Sequence, residues 1–520
     1  MRTHISFICI LLIIYPIVVL AVIRYVPSEY ATIQSAINVS VAGDSVIVAP
    51  GVYSENIIWP QTDGITLKSA GNRLNTIING NQNGRCLAFI GAWTNPVITT
   101  ASVVDGFTLK NGYTAENGAG IICYYSSPTI LNCLVAYNEA YSSGSGGGLY
   151  CYNASPVLTD VIFAFNIAYS GGGAHIDPLS SPVFNNCVFA DNTLNSPGGS
   201  FAAGIYGRYQ VYFQLNQCTI TRNFYNNKAA IHLGELAVPI IQNSTIIYND
   251  YGILIVHDGG INIQNCNIQN SSFAGLWHND TDGDILNLQS NWWGSATGPY
   301  HETNNPNGLG DTVIGLANIS NWLTAPAPNA PPIPPYEMYI DSFDGQNLTV
   351  TWDANPEPDI DHYEFNYGPT GDTVFFENTI NVTTPSVTVP FSQGEIYFQA
   401  RAVKSGGVKG WFSNSHVLIN ISNDDNVIAA PVKTSAYPNP FRESISIRFE
   451  SKTPSQTELA VYNIKGELVR NIFSSYQKSG LSVMKWDGTN NRGEKATAGV
   501  YFIRLKQNNL ISNSKVLLLR

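Results

Sequence analysis

The sequence predicts an all-β protein, a right-handed parallel β-helix followed by two β-sandwich domains, and three observations carry that reading. The 520 residues are only 12% charged but hold 45 Gly, 28 Tyr and 28 Pro, a balance that favours strands and turns over charge-laced helices. The stretch "NGAGIICYYSSPTILNC" (residues 117–133) returns as "SGGGLYCYNASPVLTDV" (residues 145–161), so the backbone itself repeats. Past a proline-rich stretch at 324–335 the repeat stops and longer alternating runs begin.

The chain opens with Arg2 and a long apolar run, "MRTHISFICILLIIYPIVVLAVI", with Val19-Leu20-Ala21 as a cleavage site. Residues 1–21 therefore read as a signal peptide; an uncleaved anchor is the alternative, since the run approaches spanning length. Cys9 falls in this leader. The other seven cysteines follow the repeat and match no zinc spacing or disulfide scaffold, so most read as small buried apolar residues. A net charge of -11 argues against a nucleic-acid partner and would repel a polyanionic sugar unless a divalent cation bridged it.

Residues 24–324 form the repeat region. The residue closing each unit is Cys133, Val161, Cys187, Cys218, Ser244, Cys266 and Ser290, in steps of 28, 26, 31, 26, 22 and 24. Two residues further lies an apolar column (Val135, Phe163, Phe189, Ile220, Ile246, Ile268), and five further a polar one (Asn138, Asn166, Asn192, Asn223, Asn249). Each unit holds three short alternating runs, such as "GIICYY", "PTILNC" and "LVAYN", separated by turn residues. Three strands per coil, stacked roughly 4.8 Å apart, make a parallel β-helix. Stacking sets Cys123 over Cys151 and Ile121 over Leu149, facing in, with Tyr124 and Tyr152 facing out. Asn132, Asn186, Asn243 and Asn265, before the closing positions, are expected to form a corner ladder.

On these repeats the chain resembles the pectin-lyase-like β-helix superfamily, in particular its "GGGI…SP.I.NC.F..N" repeat proteins. "YATIQSAINVSVAGDSVIVAPGVYSENI" (residues 30–57) looks like that family's capping helix and first coil, and "NWWGSATGPY" (residues 291–300) like its closing motif. The resemblance implies the fold; the superfamily spans lyases, hydrolases, epimerases and adhesins, so it does not fix an activity.

Residues 325–335 read as a stiff Pro-rich linker. Residues 336–424 alternate at sandwich spacing, and Trp352, Tyr363 and Tyr397 look like the core aromatics of a fibronectin type III domain. Its "DANPEPDID" run, with Asp353, Glu357, Asp359 and Asp361, reads as a solvated turn before a calcium loop. Residues 435–520 resemble the C-terminal sorting domain of type IX secretion substrates through Tyr437-Pro438-Asn439-Pro440-Phe441, Trp486-Asp487-Gly488 and Gly499-Val500-Tyr501. That likeness implies contact with the type IX machinery, passage through an outer membrane, and surface attachment or release.

Catalytic residues are sparse. Hydrolysis calls for clustered carboxylates and elimination for a base with cations on a uronate. Arg208, Lys228, His232 and Glu235 fall in neighbouring coils and form one candidate set; His175 and Asp177 in "GGGAHIDP" form another, with His175 taken to align with inward Leu149. Tyr124, Tyr150 and Tyr152 offer an aromatic patch for sugar rings, or a stack that only steadies the sheet. Asp280, Asp282 and Asp284 in "HNDTDGDI" present alternating hard oxygens to Ca2+, against the plainer reading of a polar turn. The expectation is a secreted or outer-surface protein of a Gram-negative bacterium that binds a polysaccharide or cell-surface glycan, or adheres. The alternatives are a polysaccharide lyase or glycoside hydrolase, and a purely structural surface protein.

Overall fold

The computed structural model describes residues 20–92, 98–195, 201–256, 260–279, 283–335, 338–371, 374–420, 433–437, 439–442, 444–451, 455–477, 480–507 and 510–519. Three long parallel sheets wrap one core. The first has ten strands from Ile23–Val26 to Asn262–Gln264, and the second nine from Gly51–Ser54 to Asn267–Gln269. The third has eleven, from Ile57–Ile58 to Pro299–Tyr300. One coil runs through Thr129–Leu131, Leu134–Ala136 and Leu149–Tyr152, visiting the sheets in turn. Cys123 pairs with Cys151 and Ile121 with Leu149, in the expected register. A fourth, shorter sheet of Tyr113–Thr114, Glu139–Ser145, Ile167–Ser170 and Thr193–Leu194 lies between the second and third, where the sequence had shown only a loop.

The sequence columns are the core. Val135, Phe163, Phe189, Ile220, Ile246 and Ile268 are fully buried, and Phe163 stacks on Phe189 at 4.8 Å. Cys86, Cys123, Cys133, Cys151, Cys187, Cys218 and Cys266 are free thiols at 0% exposure. Burial pushes the Cys86 and Cys266 thiols up to about 12, so they pack as apolar groups.

The polar column is the principal ladder. Asn138, Asn166, Asn192, Asn223 and Asn249 are buried. The backbone N–H and Nδ2 of Asn138 both donate to Asn166 Oδ1, at 3.1 and 3.0 Å, and Asn166 repeats this onto Asn192 at 3.0 and 3.1 Å. Each Nδ2 also reaches an inward strand carbonyl, that of Asn166 donating to Val135 O at 2.8 Å. The expected corner ladder is the lesser one. Asn132, Asn186, Asn243 and Asn265 hold left-handed corners (φ 51, 51, 51 and 54°) that asparagine tolerates. Asn132 donates to Asp105 at 2.9 Å and Asn186 to Asp160, at the surface. The triple glycines stand beside the buried ladder: a Cβ on Gly148 would meet Gly173 O at 2.5 Å, and one on Gly173 would meet Gly204 O at 2.8 Å.

The ends are closed. The helix Ile33–Asn38, capped by Thr32 and Ser35, buries Ile33, Ala36 and Ile37, and Glu55 accepts from Ile33 N and Gln34 N at 2.9 Å each. At the other end Trp293 and Asn291 are buried, and Asn291 Nδ2 donates to Ile263 O at 2.8 Å.

Beyond the helix, strands from Met338–Phe343 to His416–Asn420 form three- and four-stranded antiparallel sheets, and Lys433–Tyr437 to Leu510–Leu518 repeat that arrangement. Trp352 and Tyr363 are core residues of the first sandwich, but Tyr397 is not. Strand alternation turns Ile396 and Phe398 inward and leaves Tyr397 half-buried on the other face. Glu357 is buried rather than solvated, accepting from Ile333 N at 2.7 Å and Asn355 Nδ2 at 3.0 Å.

The proline-rich segment lies along the β-helix. Ala327 N donates to Asn267 Oδ1 at 2.7 Å, Thr245 Oγ1 to Pro331 O at 2.6 Å, and Lys404 Nζ to Pro328 O at 2.8 Å. The first sandwich then covers the outer face of the second sheet: Val374, Trp411 and Phe412 bury Leu134, Ala136, Ile162, Ala164 and Ala190. Arg222 fastens this contact, gripping Asp191 with two nitrogens at 2.8 and 2.9 Å while a third donates to Phe412 O at 2.9 Å.

Two outcomes follow from these contacts. Asn166→Ala strips acceptors and donors from buried partners on two coils, so denaturant unfolding of the full chain should show a loss of about 3 kcal/mol. Arg222→Ala leaves Asp191 and Phe412 O without their donor, so limited proteolysis should cut within 324–335 faster than in the parent chain; equal rates would show that Arg222 does not hold the sandwich down.

Candidate functional site

The outward positions of the third sheet form two columns. In the first, Ala88, Ile122, Tyr150, His175, Tyr206, His232, Leu254 and Trp277 stack by strand register. This corrects the alignment of His175. Leu149 pairs with Ala174 and Tyr150 with His175, because Gly146–Gly148 and Gly171–Gly173 superpose one for one. His175 thus faces out, and the two candidate sets fall on one surface.

The second column continues Tyr124 and Tyr152 into Asp177 and Arg208 past the strand ends, where Asp177 N donates to Cys151 O and Arg208 N to Ile176 O, each at 2.9 Å. Asp177 is 5% exposed and is the hub. Its Oδ2 accepts from the Tyr150 hydroxyl, its Oδ1 lies 3.4 Å from His175 Nε2, and Arg208 Nη1 reaches Oδ1 at 3.3 Å. Burial alone would raise the Asp177 carboxyl, but the bonds from His175 and Tyr150 and the charge of Arg208 outweigh it and hold the group below its ordinary value. Burial, then the bond to Asp177, pushes the Tyr150 hydroxyl well above its ordinary value.

Tyr206 and His232 adjoin this hub. Tyr206 stacks on Phe201 at 4.4 Å with planes 7° apart and meets His232 edge-on at 5.3 Å. Burial raises the Tyr206 hydroxyl to about 12 and lowers the His232 imidazole to about 4, the latter with help from the charge of Lys228. Glu235 acts on Tyr206 only through its charge and is exposed, as is Arg208.

The chemistry open to this arrangement is limited by access. The Asp177 carboxylate accepts from the Tyr150 hydroxyl and Arg208 Nη1 and lies against His175 Nε2. His175 Nδ1 is buried without a hydrogen-bond partner among the described residues, so no bulky substrate reaches it. What remains open to solvent is an aromatic surface. Tyr124 and Tyr152 stack at 4.9 Å with planes 13° apart, half-buried, with Tyr125 edge-on to both, while Arg208 stands two coils away, roughly 10 Å. Tyr150 is withdrawn from this surface, its ring among Ala88 and Ile122 and only 6% exposed.

Tyr206 and Phe201 were missed from the sequence, because the coil register after residue 200 was uncertain by one residue; the "GIYG" at 204–207 is the signal that aligns Ile205 with Ala174. Asp280 and Asp282 lie outside the described residues, and Asp284 is exposed. Among the described residues, no group of three or more His, Cys, Asp or Glu side chains is arranged to hold a metal ion.

Residues 441–510, in the second sandwich, match the family model of the FlgD Ig-like domain. No curated protein matches the chain. Among solved structures, the chitinase ChiA74 from Bacillus thuringiensis is 14% identical over 35% of this chain, with a TM-score of 0.21; this chain spans only 29% of it. The FN1-FN3 domains of chicken CNTN1 are 13% identical over 36% of this chain and 65% of theirs (TM-score 0.16). Dimeric latent PorU from Porphyromonas gingivalis is 17% identical over 36% of this chain and 18% of its own (TM-score 0.18). These likenesses are local and carry no functional argument.

The His232 imidazole gives a signed pH dependence. With a folded pKa of about 4 against 6.5, the unfolded chain binds the extra proton, so stability is lost as pH falls from 6.5 toward 4. His232→Gln removes this linkage, and parent minus variant should change by on the order of 2 kcal/mol across that window in denaturant titrations. A flat difference would place His232 in contact with water.

Proposed function

We propose that this chain is an exported protein of a Gram-negative cell surface that binds glycans along the outer face of its third parallel sheet. The observation that carries the reading is the platform of stacked Tyr124 and Tyr152 in line with exposed Arg208. Flat rings with polar tips suit the apolar faces and hydroxyl rims of pyranoses. A guanidinium adds a planar fork for a carboxylate or hydroxyl pair. A rigid sheet holds these groups at fixed intervals, as an extended polymer requires.

Export rests on the leader reading of residues 1–21, and surface delivery on the likeness of residues 435–520 to type IX sorting domains. The fibronectin type III reading of residues 336–424 fits the same setting. A second reading, elimination on a polyuronate, is favoured by one observation, the hydrogen-bonded Tyr150–Asp177–His175 cluster with Arg208 beside it. It is the weaker one, because the free nitrogen of His175 is buried.

The two separate in one experiment. The full chain is titrated with neutral polysaccharides and polyuronates, with and without Ca2+, while unsaturated product and reducing ends are followed. Binding without product, weakened about tenfold or more by Tyr152→Ala or Arg208→Ala, is the expected outcome. Product formation abolished by Asp177→Asn would establish the lyase, and silence on every polymer would remove both readings.

A further inference from the structure

The second sheet, the first sandwich and the second sandwich meet around a cavity of about 680 Å³. This lies on a different sheet from the Tyr124–Tyr152 platform, and the argument for it stands without that platform. Its volume falls within the range of roughly 300–1,000 Å³ typical of small-molecule sites, which favour domain junctions.

Tyr137 and Phe165 in its wall stack at 5.1 Å with planes 3° apart, and are 38% and 36% exposed. Both occupy left-handed corners, φ 57 and 56°, a conformation unfavourable to bulky residues. Two successive coils thus place rings where asparagine would fit more easily, and the rings line a cavity instead of filling the core.

The charged groups in the wall are one-sided. Asp191, the carboxylate among the lining residues, is taken by two nitrogens of Arg222. Lys110 arrives from the β-helix and Lys515 from the second sandwich, the latter with its Nζ 5.3 Å from the Tyr397 ring centre. With Asp191 and Arg222 paired to each other, the charge left in the wall is that of two ammonium ions, both donors, beside a flat apolar wall.

We propose that this cavity binds a ring-bearing carboxylate, whose ring lies against Tyr137 and Phe165 and whose anionic group is shared between Lys110 and Lys515. Both a short uronate oligosaccharide and an aromatic carboxylate have that chemistry. Since Lys110 belongs to the β-helix and Lys515 to the second sandwich, the bound anion also fastens these two together.

The test is calorimetric titration of the full chain carrying Arg208→Ala, which takes the third-sheet surface out of the measurement. The probes are trigalacturonate, benzoate, neutral maltotriose and inorganic phosphate. One of the two ring-bearing carboxylates should bind one to one, with maltotriose and phosphate at least about tenfold weaker. Lys110→Met and Lys515→Met should each weaken binding about tenfold. Preference for trigalacturonate or for benzoate identifies the source of the ring. The proposal is overturned if neither carboxylate binds, if maltotriose or phosphate binds as tightly, or if the folded lysine variants keep full affinity.

Discussion

Everything in the β-helix depends on keeping successive coils in one parallel register, and the asparagine ladder enforces that register from inside. A parallel sheet leaves the peptide groups at its corners without strand partners, and a buried unpaired amide costs about 1–3 kcal/mol. Asn138 through Asn249 meet that demand with one side chain per coil, which bonds both a neighbouring coil and an inward carbonyl. Coil lengths vary, but the insertions fall between ladder positions. Hence Tyr150, His175, Tyr206 and His232 line up across four coils of unequal length.

That alignment accounts for the character of the candidate site. Side chains on the sheet's outer face sit one coil apart, close enough for Asp177 to draw Tyr150, His175 and Arg208 onto a single carboxylate. The same closeness buries the carboxylate and seals His175 Nδ1. The cluster thus ties together neighbouring coils beside the half-buried tyrosine pair and the exposed guanidinium.

The core was legible in the sequence because two columns with a fixed offset from the closing residue identify the inward face without any structural input. The glycine triplets were equally visible, although counting from them one position out turned His175 to the wrong side. What escaped notice was on the outer faces. "CLVAYN", "VIFAFN" and "CVFADN" carry apolar residues at Leu134, Ala136, Ile162, Ala164, Val188 and Ala190, on both sides of the strand. Strands buried on both faces read in this way. Read as a single inward column, such a run does not reveal the docking of the first sandwich or the cavity beside it. Tyr397, assigned to a core, belongs to that cavity because strand alternation gives the core to Phe398.

The covered face of the second sheet also bears on how such a chain is made. Its apolar strands, Leu134–Ala136 to Val188–Ala190, leave the ribosome long before Val374, Trp411 and Phe412, the residues that shield them. Coils that stack as they are synthesised would present a naked hydrophobic stripe for the whole interval, open to pairing with other chains. A nascent molecule of this design is therefore safest held unfolded, or escorted, until its last third has arrived.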